Sequence, residues 1–219
     1  MAAFVDIAQS CAPMVQVEML AGVVSLESWF RPYAVRINSG APIATQPTTK
    51  AEAIEVATSL VADRQDIQLG LGGLGLEELR KLKLSISDAF DPCLNLKAIA
   101  QLLDGYYRLA LREGASAVQA ENVMLQSYYG RDDPSVGAMF RYDARVREEA
   151  KRQLPGLASL TIAVAPGQAD PGAQREEQGA RPLQTQNSTT AEALSWDVFS
   201  AGRRASVLVF QNDRSEPNE

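Results

Sequence analysis

Glu27 closes the apolar run in VVSLESWFRPYAV, residues 23–35, and is followed directly by Ser, Trp and Phe. A carboxylate there is either a solvated helix-end charge or a proton donor and acceptor held against apolar neighbours. The choice matters because the chain contains no histidine. That absence removes Ser-His-Asp and Cys-His nucleophile pairs and nearly every familiar transition-metal site. Chemistry must rest on carboxylates, tyrosines, hydroxyls or backbone groups, and neither a metal nor another cofactor is expected.

Two further segments carry such groups. GLGGLG, residues 70–75, packs four glycines into six residues. It lacks the Gly-Lys-Ser/Thr ending of a phosphate-binding loop, and the surrounding chain shows little β structure to frame a dinucleotide site. Its backbone can instead approach a flat ligand or another chain closely, or simply turn. SYYGRDDPSVG, residues 127–137, ends one helix on Tyr128 and Tyr129 and opens another at Asp133-Pro134. A tyrosine ring packs on sugar faces and its hydroxyl forms hydrogen bonds; ordinary packing of Tyr128 is the alternative.

The elements that must position these groups read as helix after helix over residues 4–153. Residues 15–28 carry apolar side chains at the spacing of a buried helix. Thr48 and Thr49 are N-cap candidates for a helix over 50–62, and a short helix is predicted over 76–82. Asp91-Pro92 is an N-cap and N1 pair that opens a long helix to about residue 112. Further helices are predicted over 117–128 and from 133–134 to about 153. The turn-rich stretch between residues 31 and 49 has room for a small β-hairpin around Ser39-Gly40. The fold class is therefore all-α, with at most that hairpin, in a domain over 1–153. Residues 154–194 are rich in Gly, Pro and Gln and cannot bury a core, so a disordered linker is expected. A short tail over 195–219, with LSWDVF and ASVLVFQ, could dock on a partner.

Bulk properties narrow the classes. The chain has 219 residues, 46% hydrophobic residues and a net charge of -6, with a mean hydropathy of -0.14. No run approaches the roughly 20 apolar residues of a membrane span, and the scattered Lys and Arg leave no electrostatic footprint for nucleic acid. Cys11 and Cys93 lie in no metal or redox spacing. They are either two buried thiols or a disulfide; a bridge over a loop of that length would stabilise the fold by about 4 kcal/mol and would imply an oxidising compartment. The N-terminal segment shows no basic stretch before an apolar one, so no export signal is visible in it.

Taken together, the Glu27 segment, the glycine strip and the tyrosine pair resemble the lysozyme-like lytic transglycosylases, which share the goose-type lysozyme fold. LESWFRPYAV matches the first family motif at Glu27, Ser28, Phe30, Pro32 and Ala34. QSCAP, KAEAIEVATSLVA, AFDPCLNLKAIAQLL and the late WDVF are similar to the subfamily attached to type IV secretion and conjugation systems. Two motifs depart from the pattern: Gly73 stands where the second has glutamine, and Tyr129 where the third has asparagine.

The resemblance implies that Glu27 is a single acid/base acting on peptidoglycan glycan strands in the periplasm. Protonated, it would donate to the glycosidic oxygen between N-acetylmuramic acid and N-acetylglucosamine; as carboxylate, it would help the sugar's C6 hydroxyl attack C1 and leave a 1,6-anhydro product. Participation by the N-acetyl group would explain why no second carboxylate is placed opposite. Burial against Trp29 or Phe30 would favour the protonated donor. Tyr128 is the candidate for orienting Glu27 or the N-acetyl group. The backbone of Leu71, Gly72 and Gly73 is expected to form a groove wall, with Ser28, Tyr33 and Tyr129 near the substrate. Secretion-system components are the partners implied for the tail. The competing readings are a non-catalytic assembly factor that holds glycan, and a lysozyme in which water attacks instead of the C6 hydroxyl.

Overall fold

A computed structural model of the chain describes residues 2–162. The tail over 195–219, and the expected linker from residue 163 onward, lie outside the described residues. Two-residue strand β1 (Ala2–Ala3) leads into α1 (Phe4–Cys11), α2 (Val17–Ser28), β2 (Val35–Ile37) and α3 (Lys50–Ala62). Strands β3 (Ile67–Leu69) and β4 (Leu74–Gly75) are followed by α4 (Leu76–Leu82), α5 (Ile86–Ala89) and α6 (Pro92–Arg112). Then come α7 (Ala117–Gly130), α8 (Pro134–Met139), α9 (Tyr142–Gln153), a 3-10 turn over Leu154–Ser159 and β5 (Thr161–Ile162). The described unit is predominantly helical with two small antiparallel sheets, β1-β5 and β2-β3-β4.

The helix starts follow their caps. Thr49 accepts from the Glu52 amide to open α3, and Asp91 accepts from the Leu94 amide, with Pro92 at the first turn, to open α6. Helix α2 is buried along Leu20, Ala21, Val23 and Val24 and packs against α9, which explains why its sequence is apolar almost all round.

Three expectations need correction. No hairpin forms around Ser39-Gly40; β2 pairs instead with β3, Arg36 opposite Gln68. Pro42 and Pro47 leave the intervening loop short of donors for a ladder. The side-chain amide of Gln46 takes the place of a strand partner, accepting from the Val35 amide at 3.0 Å and donating to its carbonyl at 2.8 Å. The helix predicted from 133–134 to 153 is two helices. Arg141, at φ 50°, breaks it, and Tyr142 turns inward to be 1% exposed. Ordered structure also passes the boundary drawn at residue 153. Phe4 donates its amide to the Leu160 carbonyl, and Ala2 and Ala3 pair with Ile162 and Thr161. Ile162 is fully buried, so these residues add to the core.

Cys11 and Cys93 form a disulfide that ties the end of α1 to the first turn of α6. A second fastening joins α2 to α9. Glu149 is buried and accepts from Ser25 Oγ at 2.5 Å and from Gln153 Nε2 at 2.7 Å, with Arg152 Nη2 also at 2.7 Å. Burial alone would push this carboxyl up; the hydrogen bonds from Ser25, Gln153 and Arg152 outweigh it and hold the group below its usual value of 4.5. Stability from this cluster is therefore present above the unfolded carboxyl value and lost as pH falls through the depressed one. Urea titrations should show wild type more stable than Glu149→Gln at about pH 6, with the gap closing as the acid limb is reached. A gap independent of pH would refute the assignment.

Candidate functional site

Glu27 sits in the last turn of α2 with its side chain 5% exposed. Its Oε1 accepts from the Tyr142 hydroxyl at 2.7 Å, and its Oε2 accepts from Arg36 Nη2 at 2.6 Å. Tyr142 comes from the first residue of α9 and Arg36 from the middle of β2. Arg36 also donates to Gln68 Oε1, its direct partner across the ladder on β3. The carboxylate is thus held by one phenol, one guanidinium and, through the latter, one amide. Trp29 departs from the expected shielding role. As the C-cap of α2 it has φ 54°, which carries the ring out to 64% exposure, where the Arg152 guanidinium lies 5.9 Å from its centroid. Phe30 packs edge-on against Phe4 at 5.2 Å.

The glycine strip lies against this carboxylate. Gly73 has φ 63°, and a Cβ there would stand 2.9 Å from Glu27 Oε2. Glycine is thus required twice, by backbone conformation and by contact. Gly72 has both of its backbone groups engaged. Its N–H donates to Asn95 Oδ1 at 2.9 Å, and its carbonyl accepts from the Tyr128 hydroxyl at 2.6 Å. Asn95 also donates to the Ala89 carbonyl at 2.7 Å and is fully buried. Tyr128 therefore fastens the strip rather than Glu27, and the phenol on Glu27 is Tyr142. Burial first, and the charge of Glu27 second, push both phenols well above their ordinary value. They remain protonated donors at any working pH.

Glu27, Gly72, Gly73, Tyr128 and Tyr129 line one groove, joined by Gln68, Glu78, Tyr106 and Arg131. Tyr129 packs between Phe140 and Tyr142, with centroids at 5.2 and 4.8 Å. Three other sequence candidates face inward. Ser28 is buried and donates to the Val24 carbonyl of its own helix. Leu71 is fully buried, and Tyr33 is 8% exposed within the core. Glu78 also stands in the groove wall. Sequence reading missed Arg36, Gln68, Tyr142 and Asn95. Only Asn95 had a local signal, a polar residue on the otherwise apolar face of α6.

Among the described residues no cluster of three His, Cys, Asp or Glu could hold a metal ion, and no helix is long and apolar enough to cross a membrane. The arrangement can exchange a proton at one buried carboxylate beside Gly73, the partly exposed residue of an otherwise buried strip.

The chain is similar in sequence to virB1 proteins. It is 38% identical over 111 residues to "Type IV secretion system protein virB1" of Brucella abortus, an overlap covering 51% of this chain and 46% of that protein. It is 27% identical over 209 residues to "Protein virB1" of Agrobacterium fabrum, covering 94% of this chain and 74% of the relative. With "Protein virB1" of Rhizobium radiobacter it shares 29% identity over 131 residues, 55% of this chain and 54% of the other. The matched part thus spans about half the length of the Brucella relatives. No family model matches the chain, and no solved structure matches it.

Proposed function

We propose that this chain is a lytic transglycosylase that cuts the β-1,4 bond between N-acetylmuramic acid and N-acetylglucosamine, opening the cell wall locally for a type IV secretion apparatus. The observation that carries the proposal is the buried Glu27 carboxylate at the groove, held by Tyr142 and Arg36 against the Gly72-Gly73 backbone. The similarity to virB1 proteins supports the secretion setting. The disulfide suits an oxidising compartment such as the periplasm.

In the first step protonated Glu27 gives its proton to the leaving O4 as the C1–O4 bond breaks. In the second, the carboxylate takes the proton of the C6 hydroxyl as O6 bonds to C1. No water is consumed, the acid is regenerated, and an internal nucleophile avoids the entropy of ordering a separate one. Tyr142 and Arg36 each donate to one carboxyl oxygen and so orient the group that must take the proton in the second step. The first step needs Arg36 to release Oε2, and its half-exposed side chain on β2 has room to do so.

The Arg36–Glu27 pair equally favours a second reading, an assembly factor whose groove holds glycan without cutting it. Mass spectrometry of peptidoglycan incubated with the protein separates the possibilities. Anhydro-muropeptides are the expected product. Reducing ends would make the protein a lysozyme, and unchanged glycan would leave the holding role.

A further inference from the structure

Glu78, in the first turn of α4, is 6% exposed and is given no part in the proton transfers at Glu27. Among the described residues its buried Oε2 has no hydrogen-bond partner, and neither has Nη2 of Arg131. The Arg131 guanidinium is fixed from its other side, where Nη1 donates to both carboxyl oxygens of Asp66 at 2.9 and 3.2 Å. Both unpartnered atoms converge on Gly75: a Cβ there would lie 2.4 Å from Glu78 Oε2 and 3.0 Å from Arg131 Nη2. A side chain at position 75 would displace them, so glycine is what lets the two heads lie together.

Their setting continues the polar row that begins at Glu27. Across the three-stranded sheet Arg36 stands opposite Gln68, and Gln68 opposite Gly75. At the β4 end of this row, Glu78 and Arg131 occupy the place that a side chain of residue 75 would take. An acceptor and a donor left unpaired side by side cost more than each would gain from an ordinary contact. One group satisfies both if it donates to the carboxyl and accepts from the guanidinium, and a hydroxyl does so. The pocket that Glu78 and Arg131 share with Glu27, Gln68 and Tyr106 holds about 20 Å³ of free space, room for one water-sized group. That suits a hydroxyl and is too small for an acetamide.

We propose that Glu78 and Arg131 form a subsite for a single sugar hydroxyl of the glycan, on the sheet side of Glu27. This inference rests on the glycan-cleaving reading above. Its test uses the full chain carrying Glu27→Gln, which leaves the ligand intact, titrated calorimetrically with the β-1,4-linked tetramer of N-acetylglucosamine. Adding Glu78→Gln or Arg131→Lys should weaken the Kd by about tenfold to a hundredfold, the loss of a charge-assisted hydrogen bond. Thermal melting of each variant shows that it is folded. Both variants binding within about twofold of their parent, even with lowered melting temperatures, would overturn the subsite and leave a buried structural pair. No binding by the Glu27→Gln parent would instead overturn the glycan reading and this inference with it.

Discussion

Glu27→Gln is expected to cut the release of anhydro-muropeptides from isolated peptidoglycan by about 100- to 10,000-fold, the usual worth of a positioned general acid/base. The amide keeps the size of the side chain and can still accept from Tyr142, while its NH2 turns the half-exposed Arg36 toward solvent, so the variant should remain folded. What it loses is the capacity to give and retake a proton, and the groove supplies no substitute at that place. Tyr142→Phe is the informative companion. It keeps the packing on Tyr129 and removes only the 2.7 Å hydrogen bond to Oε1, so a drop of about tenfold is expected from one lost charge-assisted contact. Retention of more than about a tenth of the wild-type rate by Glu27→Gln would dismiss that residue as the acid/base.

Loss of the Cys11–Cys93 bridge should have a large effect on stability. The bridge closes a sequence separation of 82 residues, for which the chain-entropy estimate is about 4 kcal/mol. At about 2–4 °C per kcal/mol for a domain of this size, the melting midpoint of the Cys11→Ser, Cys93→Ser protein should fall by roughly 8–16 °C. Calorimetry under identical conditions measures it, and a fall under about 2 °C would mean that the reduced chain is already restrained. The effect should reach the groove as well. Cys93 stands two residues before Asn95, whose side chain holds the Gly72 amide, so a loosened start of α6 loosens the glycine strip.

Much of the helical frame was legible because its signals are local. Thr49, and Asp91 with Pro92, announce their helices by side-chain caps that act within one turn. The bridge between α1 and α6 and the position of Glu27 at a helix end were legible too. What surrounds Glu27 was not. Tyr142 lies 115 positions away in the chain, and Arg36 reaches the carboxylate only because β2 pairs with β3 rather than folding back on its own loop. The hairpin failed as an expectation for the same reason: a side-chain amide, Gln46, satisfies the strand edge, and no periodicity encodes that. Tyr142, which the sequence reading left without a role, meets Glu27 in place of Tyr128 because the helix read straight through Arg141 breaks there. Once the chain turns there, the first residue of α9 faces inward.

The pairing of β1 with β5 has a mechanical consequence. Ala2 lies opposite Ile162 and Ala3 opposite Thr161, so the chain enters and leaves the described unit at one point and in opposite directions. A pull applied between the two ends would load this short pair in unzipping geometry, one hydrogen-bonded step at a time, rather than shearing it as a whole. The strands would part before the disulfide-fastened helices α1 and α6 feel the load. Tension carried along the chain would therefore peel the junction while leaving the groove's walls in register.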